Sequence, residues 1–223
     1  MFYIVATPIG NLEDITLRAL RILKEVDLVF CEDTRETRKL LSHYEIKTPT
    51  ESYHSKSALS KIDRIISLLQ EGKHIALVSD AGTPAISDPG SLLIKKIRET
   101  DPSLQVVTIP GPSALTSAYS ISGITGGEFV FLGFLPHKKG RETLFKEIAT
   151  SKRTMIFYES SHRILKALES LSQFAPEKKV YIARELTKFF EEFLSGRATE
   201  LLDILTKDKN KQKGEFVVLV EAD

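Results

Sequence analysis

The feature that most limits how this chain can fold is a succession repeated through its first half: a short apolar run, a turn of Gly, Pro and carboxylate residues, then a helix. The runs are Phe2 to Ala6, Asp27 to Cys31, Ile75 to Val78 and Gln105 to Ile109. Helical spacing follows in Leu17, Leu20 and Leu23, precedes the third run in Ile62, Ile65, Ile66 and Leu69, and returns in Leu92, Leu93 and Ile97. Apolar runs of this length are strands buried on both faces, and their alternation with helices predicts a right-handed parallel α/β domain over residues 1–115.

The turns carry the chemistry. Leu77-Val-Ser-Asp-Ala-Gly-Thr-Pro-Ala-Ile-Ser-Asp-Pro-Gly90 ends a strand in two carboxylates, a permissive glycine and rigid prolines, where open α/β sheets bind ligands. The plainer reading is a long connection whose carboxylates cap the next helix. The second run delivers Glu32, Asp33 and Arg35, which line the same crevice as Asp80 if both strands are parallel. Thr34 is placed to cap the helix carrying Arg35, Arg38 and Lys39. The first turn has the single glycine Gly10, and neither G-x-G-x-x-G nor G-x-x-x-x-G-K-[ST] occurs, which disfavours a dinucleotide or triphosphate. Residues 49–60, with Tyr53 and His54, are polar and aperiodic and read as a mobile loop.

From residue 116 the pattern changes. Strands are expected at Phe129 to Phe134, Thr154 to Tyr158 and Val180 to Arg184. Phe193 to Gly196 and Phe216 to Glu221 are expected as antiparallel neighbours closing a mixed sheet, so residues 116–223 read as a second α/β domain. Helices fall near Thr143 to Thr150 and on Ile164, Leu165, Leu168 and Leu171.

Charge matters because 31 basic against 30 acidic residues leave a net charge of only +1. Any nucleic-acid contact must therefore be a local patch. Three patches are available: Arg35, Arg38 and Lys39; His137, Lys138, Lys139 and Arg141; and Lys207 to Lys213, the last read as a solubilising connection. The single Cys31 lies in an apolar run, as a small buried hydrophobe in a reducing compartment does. No apolar stretch approaches about 18 residues, and a cytoplasmic protein is expected. No Cys/His spacing suggests a metal site, and no Ser/His/Asp order a hydrolase.

Seven blocks together resemble one family: Ala6 to Thr16, Glu32 to Arg35, Ser79 to Gly90, Pro110 to Ala114, Phe131 to Pro136, Tyr158 to Arg163 and Ala183 to Lys188. In this order they are similar to the ribosomal RNA branch of the tetrapyrrole methylase superfamily. That resemblance implies a cofactor, S-adenosylmethionine, held in the cleft between two α/β domains. It implies 2′-O-methylation of a cytidine in small-subunit ribosomal RNA, probed best on the assembled subunit, by a homodimer. The superfamily's first glycine-rich turn falls on Val5 to Asn11, its G-D-P block on Gly82, Thr83 and Pro84, and a third block on Pro110 to Ala114. Cofactor contacts are thereby implied at Pro8, Ile9, Gly10, Asp80, Ala81, Gly82, Ile86, Ser113, Ala114, Tyr158, Glu159 and Leu186. The lost glycines and Thr83 in place of aspartate speak against a tetrapyrrole substrate.

A sulfonium methyl group is already reactive, so catalysis consists of aligning the acceptor, excluding water and sharing the hydroxyl proton. Glu32, Asp33 and Asp80 are candidates for the base, and Asn11 for orienting the hydroxyl. Arg35, Arg38, Lys138, Lys139 and Arg141 are candidates for phosphate contacts. His162 reads as a hydrogen-bonded residue at a helix start. The aromatic residues Phe129, Phe131, Phe134, Phe189, Phe190 and Phe193 offer apolar surface for a second copy. Three other readings stay open: a tetrapyrrole-precursor C-methyltransferase, a non-catalytic RNA-binding assembly factor and a nucleotide-binding module.

Overall fold

The computed structural model describes residues 1–54 and 58–222 and divides into two compact units, Met1–Ser113 and Ala114–Asp223. In the first, strands β1 (Phe2–Val5), β2 (Leu28–Cys31), β3 (Thr50–Ser52), β4 (Ile75–Leu77) and β5 (Val106–Ile109) form one parallel sheet in the order β3-β2-β4-β1-β5. Successive strand residues face opposite ways, so the sheet serves two cores. Val5, Val29, Cys31 and Ala76 pack with Ala19, Ile22 and Leu23 of α1 (Leu17–Glu25) and Leu40 and Leu41 of α2 (Thr34–His43). Phe2, Ile4, Phe30 and Ile75 pack on the other side with Ile65 and Leu69 of α3 (Ala58–Gln70) and Leu93 and Ile97 of α4 (Gly90–Thr100).

Two expectations give way here. Residues 50–52 form an edge strand in register with Val29 to Cys31, and Tyr53 is buried. Its signature was weak because an edge strand buries only one flank, and Thr50, Glu51 and Ser52 are all half-buried. The rest of that expected loop, residues 55–57, lies outside the described residues. The cap of α2 is Asp33, whose carboxylate accepts from the Arg35 N–H at 2.8 Å, and Thr34 is already helical. A carboxylate at a helix N-terminus also faces the positive end of the dipole.

The second unit runs α5 (Ala114–Ser122), β6 (Phe129–Phe134), α6 (Arg141–Thr150), β7 (Thr154–Ser160), α7 (Ile164–Phe174), β8 (Lys179–Arg184), β9 (Glu192–Arg197), α8 (Ala198–Lys207) and β10 (Glu215–Val220). Its sheet is mixed, in the order β6-β7-β10-β8-β9, with only β6 and β7 parallel. Phe145, Ile148, Leu168, Leu171, Leu201 and Leu205 from three helices cover Met155, Phe157, Ile182 and Val218. β9 and β10 are therefore not neighbours: β8 lies between them, and β10 pairs with β7 and β8. The burial patterns explain the arrangement. Residues 216–220 are continuously buried, as a central strand requires, whereas residues 192–197 are half-buried or exposed, as on an edge.

Candidate active site

In the first unit the turns after β1, β4 and β5 are tied together. Thr7 and Gly82 exchange both backbone hydrogen bonds at 3.0 Å, forming an isolated antiparallel bridge. Thr7 Oγ1 donates to the Ser79 carbonyl at 3.1 Å, and Ser79 Oγ donates to the Gly82 carbonyl at 3.1 Å. Thr83 Oγ1 donates to the Pro112 carbonyl at 3.1 Å, which joins the third turn. Gly82 has φ +79°, and a Cβ there would lie 3.3 Å from Ile9 Cγ2. A Cβ at Gly111 would lie 3.0 Å from Ala6 Cβ. Three chain segments meet closely only because these residues are small.

Carboxylates gather beside this junction. Asp80 Oδ1 accepts from the Asp33 N–H at 3.0 Å, which joins the ends of β4 and β2. Asp88 accepts from the N–H groups of Ala85 and Gly90, both at 2.7 Å, and holds Ala85 at φ 68°. Burial, then the neighbouring charges of Asp88 and Asp80, push Glu32 up to about 7. Burial also raises Asp80, with Asp33 and Glu36 adding to it, and raises Asp88 despite its two N–H partners. Asp33 behaves oppositely: the Arg35 guanidinium and N–H hold it down at about 2. Glu32, Asp80 and Asp88 have no ion-pair partner among the described residues, so the turn ends present negative potential without a paired cation.

The candidate residues now sort by position. Asp80, Ala81 and Ile86 are exposed, Gly82 and Pro8 are buried, and Ile9 packs inward against Gly82, leaving Gly10 exposed. Ser113 is half-buried and continues the Pro112 turn. Asn11 caps a 3-10 turn, its Oδ1 accepting from the Glu13 N–H at 3.1 Å, which engages the group expected to orient a hydroxyl. Arg38 donates to Thr50 Oγ1 at 3.2 Å and lines a cavity of about 330 Å³ with Ser42, Lys47, Thr48 and Thr50.

In the second unit, Ala114 opens α5 and is half-buried, Leu186 is buried, and Tyr158 packs edge-on against Phe131 and Phe134. Glu159 and Arg141 require correction. The Glu159 side chain is 0% exposed; Oε1 accepts from the Ser160 N–H at 2.8 Å and forms an ion pair with Arg163 Nε at 2.7 Å. Arg141 is buried, 3.8 Å from Glu159, with Nη1 donating to the Pro136 carbonyl. Glu159 is thus a structural counter-ion, and Arg141 is not available to a phosphate. Lys138 and Lys139 are exposed, and His162 is exposed ahead of α7. Asp88, read in the sequence as the second carboxylate of this turn but given no individual role, stands beside Glu32 and Asp80; Asp-Pro-Gly before a helix also reads as turn chemistry.

No group of three or more His, Cys, Asp or Glu that could hold a metal occurs among the described residues, and none of their helices is long and apolar enough to cross a membrane. Residues 1–202 match the family model of the Tetrapyrrole (Corrin/Porphyrin) Methylases, and the chain belongs to that family. It is a methyltransferase, with S-adenosylmethionine as its methyl donor. Among its relatives, a protein of Thermotoga maritima named Ribosomal RNA small subunit methyltransferase I is 46% identical over 97% of this chain and 96% of its own length. One of the same name from Hydrogenobaculum is 48% identical over 98% of this chain and 94% of its own. A solved cobalt precorrin-4 methyltransferase covers 99% of this chain and 94% of its own with TM-score 0.72 at 15% identity. A uroporphyrin-III-C-methyltransferase from Thermus thermophilus covers 98% and 93% with TM-score 0.67 at 18% identity. At those identities the likeness concerns the fold.

The first unit's turns suit this donor. Carboxylates without paired cations among the described residues are compatible with a positively charged sulfonium.

Proposed function

We propose that this protein transfers a methyl group from S-adenosylmethionine to the ribose 2′-hydroxyl of a cytidine in small-subunit ribosomal RNA. The substrate class follows the names of relatives 46–48% identical along the chain. The observation that carries the chemistry is Glu32, pushed up to about 7 beside Asp80 and Asp88. A carboxylate with that affinity for protons is suited to accept one from a hydroxyl at neutral pH. The donor supplies a methyl group on a positively charged sulfur. Asp80 and Asp88 supply negative potential toward that charge, and the Thr7–Gly82 bridge fixes the turns that align the two reactants. Asp33, held near 2, is too weak a base and instead fixes Arg35, whose exposed guanidinium suits an RNA phosphate. Lys138 and Lys139 add a second phosphate-binding patch.

The reading includes an assembled small subunit as substrate, action in the cytoplasm and a homodimer formed through exposed Phe129 and Phe134 of the edge strand β6. Tritiated methyl transfer to assembled subunits and to naked RNA, followed by nucleoside analysis, tests it. Label in a 2′-O-methylated cytidine is expected; label on a base, or only on a tetrapyrrole, overturns it. Light scattering that gives a monomer at micromolar concentration removes the dimer.

A further inference from the structure

The loop 185–191 between β8 and β9 places two phenylalanines in water. Phe189 is 93% exposed and Phe190 64%, their rings edge to face with centroids 4.9 Å apart. The loop beneath them is built rigidly. Glu185 and Thr187 hold left-handed φ values of 49° and 65°, a region that a β-branched threonine seldom enters. The Lys188 and Glu191 N–H groups close two successive turns onto the carbonyls of Glu185 and Lys188, both at 3.0 Å. Lys188 Nζ bridges Glu185 at 3.0 Å and Glu215 at 2.7 Å.

One buried side chain joins this loop to the lysine-rich segment before β10. Arg184 donates from Nη1 to the Phe190 carbonyl at 3.1 Å, from Nη2 to the Asn210 carbonyl at 2.9 Å and from Nε to the Lys213 carbonyl at 2.7 Å. A single guanidinium thus holds the aromatic loop against the turn carrying Lys209, Lys211 and Lys213. Lys211 pairs with Glu192, whereas Lys209 and Lys213 form no ion pair among the described residues.

We propose that Phe189 and Phe190 form a stacking platform for unpaired RNA bases, with Lys209 and Lys213 contacting the phosphates that flank them. This rests on the reading of RNA as the substrate, and identifies a place where its single-stranded part is held. Sequence-tolerant binding of single strands combines aromatic faces with adjacent cations, and both are fixed here by the same arginine. Two lysines without an ion-pair partner among the described residues, Lys213 donating to Asn210 Oδ1 at 3.4 Å, favour RNA over a second copy of the chain, because the cores of protein interfaces are depleted in lysine. The sequence had suggested the opposite roles, with the rings in a dimer contact and the lysines merely solubilising.

The chain contains no tryptophan, so Phe189→Trp introduces a sole indole reporter. Titrating that variant with an unstructured RNA of about 12 nucleotides should quench its emission saturably, and Lys209→Ala with Lys213→Ala should lower the salt slope by about 1–1.5 units. In methyl transfer to assembled subunits, Phe189→Ala with Phe190→Ala should raise KM roughly tenfold or more with kcat near wild type, with tyrosine restoring KM and leucine not. Unchanged emission while labelled RNA binds, rescue by leucine, or an emission change with protein concentration alone overturns the platform. Quenching in a protein that transfers no methyl to RNA supports the platform and removes the methylation reading. Transfer with an unaltered KM in the double variant does the reverse.

Discussion

At the scale of single residues, the site turns on two carboxylates of the same turn that titrate in opposite directions. Glu32, raised to about 7 by burial and like charges, is protonated in acid, so the transfer rate should climb with pH through a limb near neutrality. Glu32→Gln should lose that limb and roughly a hundredfold or more in rate, measured as a pH profile of methyl transfer. The same shift acts on stability. Between its ordinary value of 4.5 and about 7, the folded protein still holds a proton that the unfolded chain has released. Stability therefore falls as pH rises through that window, and denaturant unfolding of Glu32→Gln should show a shallower fall. Gly82→Ala tests the turn junction. At φ +79° with Ile9 3.3 Å away, the added methyl should cost about 1–2 kcal/mol and raise the cofactor's Kd tenfold or more by calorimetry. Of these residues, Asp80 and Gly82 were legible because they end an apolar run. The pKa of Glu32 was not, since it depends on carboxylates 48 and 56 positions away in sequence.

Among elements, the instructive case is the end of β7. Glu159 lies there under α6 and α7, holding Arg163 at 2.7 Å and facing Arg141 at 3.8 Å. Removing it leaves the buried Arg141 and the half-buried Arg163 without their counter-ion, so Glu159→Ala should destabilise the protein by about 3 kcal/mol in denaturant melts. A surface ion pair such as Arg21 with Glu25 should contribute well under about 1 kcal/mol. Sequence reasoning placed Arg141 on the surface because a run of His, Lys, Lys and Arg normally is solvated. Only the three-dimensional meeting of Pro136, Phe145 and Glu159 encloses it. The long, fully buried strands were readable for the converse reason, that continuous apolar runs have few alternatives. β3 escaped because three half-buried polar residues have no period, and the separation of β9 from β10 escaped because strand order is a non-local property.

For the whole molecule, near-neutral charge makes RNA affinity a matter of placement. Neutralising Lys138 and Lys139 together should weaken binding to the subunit and reduce the salt slope by about 1.5–2 units, with cofactor binding unchanged in calorimetry. Arg141 contributes nothing to that slope because it is buried. The strand orders carry one more consequence, which concerns synthesis. β1 lies between β4 and β5, so its two edges stay open until residues 77 and 109 have followed it. At about 5–20 residues per second that interval is on the order of 5–20 s on the ribosome. In the second unit the last strand, β10, is the one that joins the β6–β7 pair to the β8–β9 hairpin, so that sheet stays in two halves until its final residues emerge. Both sheets are therefore completed late, and the newly made chain spends that time with apolar strand edges exposed to chaperones.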